Sequence, residues 1–178
     1  MPKIISEETK YEGPRFNVVQ RIYEDEETQK QYIRDSVELL PAAMILPITD
    51  NNEVVFIKQF REVLGKETLE LPAGIIEKGE EPIVAAKREL EEETGYVSNN
   101  LIELATFYQD EGCSRALNTS FLALDAEKIK EQKLDESEFV RYFECTFDEA
   151  LELVNLGYIK GVNSILTLEK AKTYMKGR

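Results

Sequence analysis

Gly74-Ile75-Ile76-Glu77-Lys78-Gly79-Glu80-Glu81-Pro82-Ile83-Val84-Ala85-Ala86-Lys87-Arg88-Glu89-Leu90-Glu91-Glu92-Glu93-Thr94-Gly95-Tyr96 is the stretch on which the reading of this chain turns. Pro82 suits the first turn of a helix, where its missing N–H costs nothing. Glu80 and Glu81 sit near the positive end of that helix. Ile83, Val84, Ala85, Ala86 and Leu90 give it an apolar side, and Gly95 supplies a left-handed stop. The spacing predicts one helix from about Glu81 to Thr94. On it Glu89 and Glu93 share a face, with Glu92 beside them. Each like-charged pair at such spacing costs roughly 0.2–0.5 kcal/mol. Arg88 offsets part of this by pairing with Glu92 at i, i+4, and the remainder calls for a cation. Hard oxygen ligands without His or Cys select Mg²⁺, with Mn²⁺ the alternative, over zinc. The acidic face is expected to be exposed and to add little to the core.

The rest of the composition narrows the chemistry. The chain has 178 residues, enough for a substantial core, and a net charge of −13. That charge argues against a nucleic-acid partner. No apolar run approaches the ~20 residues of a membrane span, and no signal-peptide pattern opens the chain, so no membrane association and a cytoplasmic location are expected. There is no histidine, which removes imidazole catalysis and His-based zinc sites. Cys113 and Cys145 stand far apart in no CxxC pattern and read as reduced thiols, with a pair left open. No GxxxxGK[ST] loop and no GxGxxG fingerprint occurs. The constellation that remains is carboxylate-rich and metal-dependent.

Along the chain, Phe16–Tyr23 and Gln31–Val37 read as a hairpin around the acidic turn Glu24–Glu27. Ala42–Ile48 and Val54–Phe60 read as buried strands joined by the turn Thr49–Asn52. Glu67–Pro72 is a short strand leading into Gly74–Tyr96. Leu101–Tyr108, Asn118–Ala123 and Phe139–Cys145 are further strands, with the loop Gln109–Arg115 between the first two. Thr146-Phe147-Asp148-Glu149 is a capping box opening a helix that stops near Gly157. A last amphipathic helix runs from about Ser164 to Lys176. The pattern is a mixed sheet flanked by helices, α/β or α+β in class. Residues 1–40 are expected to form an N-terminal antiparallel β arm, and 41–178 the main domain.

Gly74, Glu80, Arg88, Glu89, Glu92, Glu93 and Gly95 fill every fixed position of the pattern G-x5-E-x7-R-E-U-x-E-E-x-G-U, where U is apolar. Tyr96 occupies the last apolar slot, where an aliphatic residue is more usual. Seven such identities coincide by chance on the order of once in 100,000 chains of this kind. The chain resembles the Nudix hydrolases, which cleave a diphosphate linked to another group. Val55-Phe56-Ile57-Lys58-Gln59-Phe60-Arg61, followed by Glu70-Leu71-Pro72-Ala73-Gly74, resembles the ADP-ribose pyrophosphatase branch, which hydrolyses ADP-ribose and related nucleoside diphosphate sugars.

The resemblance implies an α/β/α sandwich on a mixed sheet and a homodimer in which the N-terminal arm reaches over the partner. It implies metal contacts from Glu89 and Glu93, with Glu92 nearby and the backbone carbonyl of Ala73 as a further ligand. It implies a substrate role for Arg61 and, in the arm, for Arg34. Arg88 counts among the catalytic candidates with Glu92. In that branch a glutamate from a loop before a late strand acts as general base or as a metal-linked helper; Glu138 fits that place best and Glu136 second. The loop Gln109–Cys113 departs from the branch's Ser-Pro-Gly-like pattern. Two other readings stay open: a Nudix enzyme for another nucleoside diphosphate derivative, such as a dinucleotide or modified nucleotide, and a non-catalytic ligand-sensing module.

Overall fold

The structure is a computed structural model and describes residues 1–134 and 139–177. Glu136 and Glu138 lie outside the described residues. In chain order the elements are β1 (Pro2–Glu12), β2 (Asn17–Asp25), β3 (Gln31–Glu38), β4 (Ala42–Thr49), β5 (Glu53–Arg61), β6 (Lys66–Glu70), β7 (Ala73–Ile75), α1 (Pro82–Thr94), β8 (Tyr96–Val97), β9 (Asn100–Tyr108), β10 (Leu117–Lys128), β11 (Val140–Thr146), α2 (Phe147–Asn155) and α3 (Val162–Lys176). Two compact units result. One joins Met1–Pro41 with Tyr108–Leu117; the other takes Ala42–Phe107 and the chain from Asn118 onward.

In the first unit β1, β2 and β3 form an antiparallel sheet in that order. All eleven residues of β1 are exposed. With no buried face, β1 shows no clear alternation in sequence and is held by its ladder to β2. The centre of the sheet is polar. Arg21 is 4% exposed, and a buried guanidinium needs partners. It donates from Nε to Glu7 (2.5 Å), from Nη1 to Ser36 (2.5 Å) and from Nη2 to Glu38 (2.8 Å). Residues 108–117 join this unit through Val37 N–H, which donates to the Cys113 carbonyl at 2.8 Å, and through the ion pair of Arg115 with Glu38 at 3.0 Å. The arm is thus built from two separate segments of the chain.

The second unit is a mixed sheet with helices on both faces. β10 runs parallel to β4, while β5, β7 and β11 pair antiparallel with their neighbours. Alternation along the central strands sends side chains to opposite faces. Ala43 and Ile45 of β4, Val55 of β5, and Phe121 and Ala123 of β10 pack with Ala85, Ala86 and Leu90 of α1. Leu46 and Ile48, Val54 and Phe56, and Leu122 pack on the other side with Ala150 of α2 and with Leu168 and Ala171 of α3. These near-continuous apolar runs are what a sheet covered on both faces requires. The fold is an α/β/α sandwich.

Local signals account for the helix ends. α2 opens on a capping box: Glu149 N–H donates to Thr146 Oγ1 (3.3 Å), and Thr146 N–H donates to Glu149 Oε2 (2.8 Å). α1 ends at Gly95, whose φ of 76° is left-handed and whose N–H caps the Glu91 carbonyl at 2.9 Å. β10 runs five residues past the predicted Ala123. A register shift between Ala123 and Ala126 and a positive φ at Asp125 carry it through a stretch that reads as a turn. Among the described residues no helix is long and apolar enough to cross a membrane.

Gly79 and Gly95 separate two costs of substitution. Both have positive φ, but a Cβ on Gly79 meets nothing within 4 Å, whereas one on Gly95 would lie 2.0 Å from the Lys130 carbonyl oxygen. Gly79→Ala carries only the backbone penalty of about 1 kcal/mol. Gly95→Ala adds a backbone clash and is expected to reach about 3 kcal/mol, lowering Tm by roughly 6–12 °C. Equal melting temperatures for the two variants in calorimetry would refute the close approach of residue 130 to the end of α1.

Candidate active site

The site is assembled where α1 crosses β7. β7 pairs with β4 through Ala43–Gly74 and Met44–Ala73, so the Ala73–Gly74 peptide is fixed in the sheet. Leu71, just before it, donates its N–H to Ser164 Oγ at 3.0 Å, which ties the strand to α3 as well. From α1, Glu93 turns its carboxylate onto this peptide and accepts from the Ala73 N–H at 2.9 Å. Glu89 lies directly over Gly74: a Cβ there would fall 1.9 Å from its carboxyl carbon. A Cβ at 74 would therefore displace the Glu89 carboxylate from its place over the strand, while the backbone angles there make no special demand. The expectation of an exposed acidic face fails for Glu93, which is only 4% exposed. It sits one turn beyond Glu89 against the sheet, and hydrogen-bonding to a backbone amide lets a carboxylate occupy that place.

Arg88 gathers the remaining charge. Nε and Nη2 each donate to Glu80 at 3.1 Å, Nη1 donates to Glu89 (2.6 Å) and Glu92 (3.2 Å), and Nη2 also reaches the Ile75 carbonyl at 3.0 Å. The sequence reading anticipated only the Glu92 pair. The hydrogen bonds to Glu80 lead in raising the Arg88 pKa, against the effect of burial, with Glu89 and Glu92 adding to them. Reciprocally, Arg88 and then the Glu77 N–H hold the Glu80 carboxyl below its ordinary range.

Arg61 is paired bidentately to Glu70, at 2.8 Å from Nε and 2.5 Å from Nη2. Its pKa is raised first by this pair, against burial, and then by the charges of Glu70, Glu93 and Glu62. Arg61 thus lies within the field of Glu93. Burial works to raise the Glu70 carboxyl, but the hydrogen bonds from Arg61 and Thr68 outweigh it and the net shift is downward. The partnership escapes sequence reading because it depends on how far down the β5–β6 hairpin Arg61 reaches. Arg34 belongs to the three-stranded sheet. Its guanidinium lies 4.8 Å from the centre of the Tyr32 ring, which stacks on Tyr23.

A divalent cation fits this donor set. Glu89, Glu92 and Glu93 are hard oxygen donors, and Glu89 and Glu93 bracket the Ala73–Gly74 peptide. Among the described residues no three such side chains are already arranged as a metal cage. Glu89 and Glu92 are turned to Arg88, and Glu93 to a backbone amide. Cys113 and Cys145 are both free thiols, and burial, ahead of Glu149 and Glu53, pushes Cys145 up to about 11.

An α/β/α sandwich with an acidic helix laid against a glycine-bearing strand defines a class, and comparison with known proteins names it. The NUDIX domain matches residues 38–166, and the chain belongs to the Nudix family. It is 42% identical over 122 residues to the ADP-ribose pyrophosphatase of Bacillus subtilis (strain 168), a match covering 68% of this chain and 66% of that protein. It is 36% identical over 137 residues to the methanol dehydrogenase activator of Bacillus methanolicus, covering 76% of this chain and 74% of that protein. The crystal structure of an ADP compounds hydrolase shares the fold with a TM-score of 0.87 over 99% of this chain and 95% of that one, at 22% identity.

Glu93→Gln retains an oxygen that can accept from the Ala73 N–H, so the fold should persist while one negative charge at the site disappears. The expected loss in kcat for pyrophosphate-bond hydrolysis is roughly 10²-fold or more, about 3 kcal/mol. Unchanged turnover by this variant at the same metal concentration would remove Glu93 from the site.

Proposed function

We propose that this protein is a metal-dependent Nudix pyrophosphohydrolase that cleaves a nucleoside diphosphate sugar of the ADP-ribose type into a nucleoside monophosphate and a sugar phosphate. The observation that carries the reading is the convergence of Glu89 and Glu93 on the Ala73–Gly74 peptide, within a sequence 42% identical to an ADP-ribose pyrophosphatase. In this reading Glu89 and Glu93 hold Mg²⁺ (or Mn²⁺), with Glu92 and the Ala73 carbonyl as further ligands. Bound there, the cation offsets the charge of the diphosphate and lowers the pKa of a coordinated water.

The chain's own residues supply the rest. Arg88 keeps the glutamates oriented, and Arg61 meets a phosphate or ribose oxygen, for which arginine's planar fork is suited. That contact requires Arg61 to share its guanidinium between Glu70 and the substrate. Arg34 contributes a substrate contact from the arm. Glu138, or else Glu136, takes the proton from the attacking water. The water oxygen bonds to one phosphorus, the bridging P–O bond breaks, and the departing phosphate carries off the bridging oxygen and both electrons. The protein acts in the cytoplasm.

A dinucleotide is the second reading. It too carries a diphosphate between two ribosyl groups, and the likeness to a dehydrogenase activator favours it, since dehydrogenases commonly use dinucleotides. Monophosphate release from ADP-ribose, other nucleoside diphosphate sugars and dinucleotides, each with Mg²⁺ and with Mn²⁺, separates the two. The expected result is fastest turnover on ADP-ribose; preference for a dinucleotide would establish the alternative, and no turnover on any would favour a ligand-sensing role. On the best substrate, Glu138→Gln should lower kcat by about 10²–10⁴-fold with little change in KM, and Glu136→Gln by much less. The reverse order would move the base to Glu136, and two near-silent variants would leave it to Glu92.

The arm is proposed to make a homodimer. β1 is an edge strand exposed along its whole length, and Ile4, Ile5 and Tyr11 are among its exposed apolar residues. Such an edge invites pairing with another chain. Deleting residues 1–38 should yield an inactive monomer; a dimer, or full activity, from that truncated chain in light scattering and assay would contradict the role of the arm.

A further inference from the structure

The C-terminal end of α1 is closed by a segment that no motif marks. The last carbonyls of a helix lack intrahelical partners and carry its negative pole. Here the Gly95 carbonyl accepts from the N–H of Ile129 (3.1 Å) and of Lys130 (3.4 Å), and the Glu92 carbonyl accepts from the Lys133 N–H at 2.8 Å. The Glu93 carbonyl accepts from the side-chain amide of Gln132, whose same nitrogen also donates to the Val140 carbonyl at 3.3 Å. Lys130 adds an ion pair to Glu91. Of the donors that reach these carbonyls from residues 129–133, Gln132 is the one that uses a side chain.

We propose that Gln132 is a positioning residue for the metal ligand Glu93. It rests on the metal reading given above. Glu93 is held from two sides: its carboxylate accepts from the Ala73 N–H, and its own carbonyl accepts from Gln132. Gln132 is in turn anchored to Val140 at the start of β11, which pairs with β5 inside the sheet. Beside the backbone bonds from residues 129, 130 and 133, this one amide links the Glu93 carbonyl to the same sheet that carries Ala73. Without it, the Glu93 carbonyl loses that partner and the Glu93 residue is held less firmly within a turn still anchored through Glu92 and Gly95. The carboxylate then meets the cation with its geometry less well set. Partners bonded to the ligating group itself are worth about 10–100-fold in metal affinity; Gln132 acts one step further back, through the ligand's backbone, and the lower end of that range is expected.

The test is Mn²⁺ binding by the full chain, followed by electron paramagnetic resonance of free Mn²⁺ and by the rise in Tm on adding Mn²⁺. Gln132→Met keeps the length and removes both donors. It should weaken Mn²⁺ binding about tenfold and shrink the metal-induced Tm rise, while KM for the diphosphate substrate at saturating Mn²⁺ stays unchanged. In a Glu93→Gln background the same substitution should cost little more, because its effect passes through Glu93. Wild-type Mn²⁺ affinity in Gln132→Met overturns the proposal, and so does an equal loss in both backgrounds, which would mean general loosening. If Gln132→Met does not fold, Gln132→Asn, too short to span both carbonyls, carries the same expectations. Absence of saturable Mn²⁺ binding by the unsubstituted protein would sink the metal reading itself; binding by that protein with no effect at Gln132 sinks this inference alone.

Discussion

Arg88 donates at once to Glu80, Glu89, Glu92 and the Ile75 carbonyl, and the architecture of the site depends on that shared guanidinium. Four glutamates in five residues, 89 and 91–93, would strain any helix by mutual repulsion. A flexible lysine could answer one of them. A planar fork with five donors answers two of them, Glu89 and Glu92, and also reaches back to Glu80 and the Ile75 carbonyl ahead of α1. The loop that follows β7 and the helix α1 after it are thereby one electrostatic unit. Glu80 closes it from the loop side, accepting from both Arg88 and the Glu77 N–H.

That unit is useful because it is bolted to something stiff. Ala85, Ala86 and Leu90, fully buried on the other side of α1, pack on Ala43, Ile45 and Phe121. The helix therefore cannot slide along β4 without opening the core. β7 is held on β4 by its own ladder, and Leu71 just before it is tied to Ser164 of α3. The distance between the Glu89–Glu93 edge of the helix and the Ala73–Gly74 peptide is set by two separate sets of packed residues. Sites built on such elements hold their geometry better than sites built on loops.

The parts legible in the sequence were those set by local rules. Pro82 and Gly95 bounded α1 to within a residue of Pro82–Thr94, and Thr146 with Glu149 announced α2. Apolar runs placed β4 and β5, and the fixed spacing of the box named the family. What escaped had no local signature. β1 buries no face, so its eleven residues show no period. The Arg61–Glu70 pair and the Gln132 bridge join residues 9, 39 and 8 apart, which only the folded sheet brings together. The burial of Glu93 was misread for the same reason: an acidic helix face looks solvated until the strand that covers it is known.

The cost of assembling so much negative charge has a consequence for the proposed reaction. A chain of net charge −13 repels a diphosphate at long range, and screening removes only the part beyond about 8 Å at physiological ionic strength. Arg88 alone cannot resolve this, because its donors are already committed to glutamates. In the proposed reaction Glu89 and Glu93 would hold a divalent ion, which would relieve part of Arg88's task and offset the substrate's charge. The carboxylates are turned inward to Arg88 and to the Ala73 N–H, so on this proposal a cation would have to draw side chains away from partners they already have. Its affinity would then be the difference between two satisfied states and not the full strength of the new bonds. Small changes in how firmly α1 is held, at either end, weigh directly on that difference.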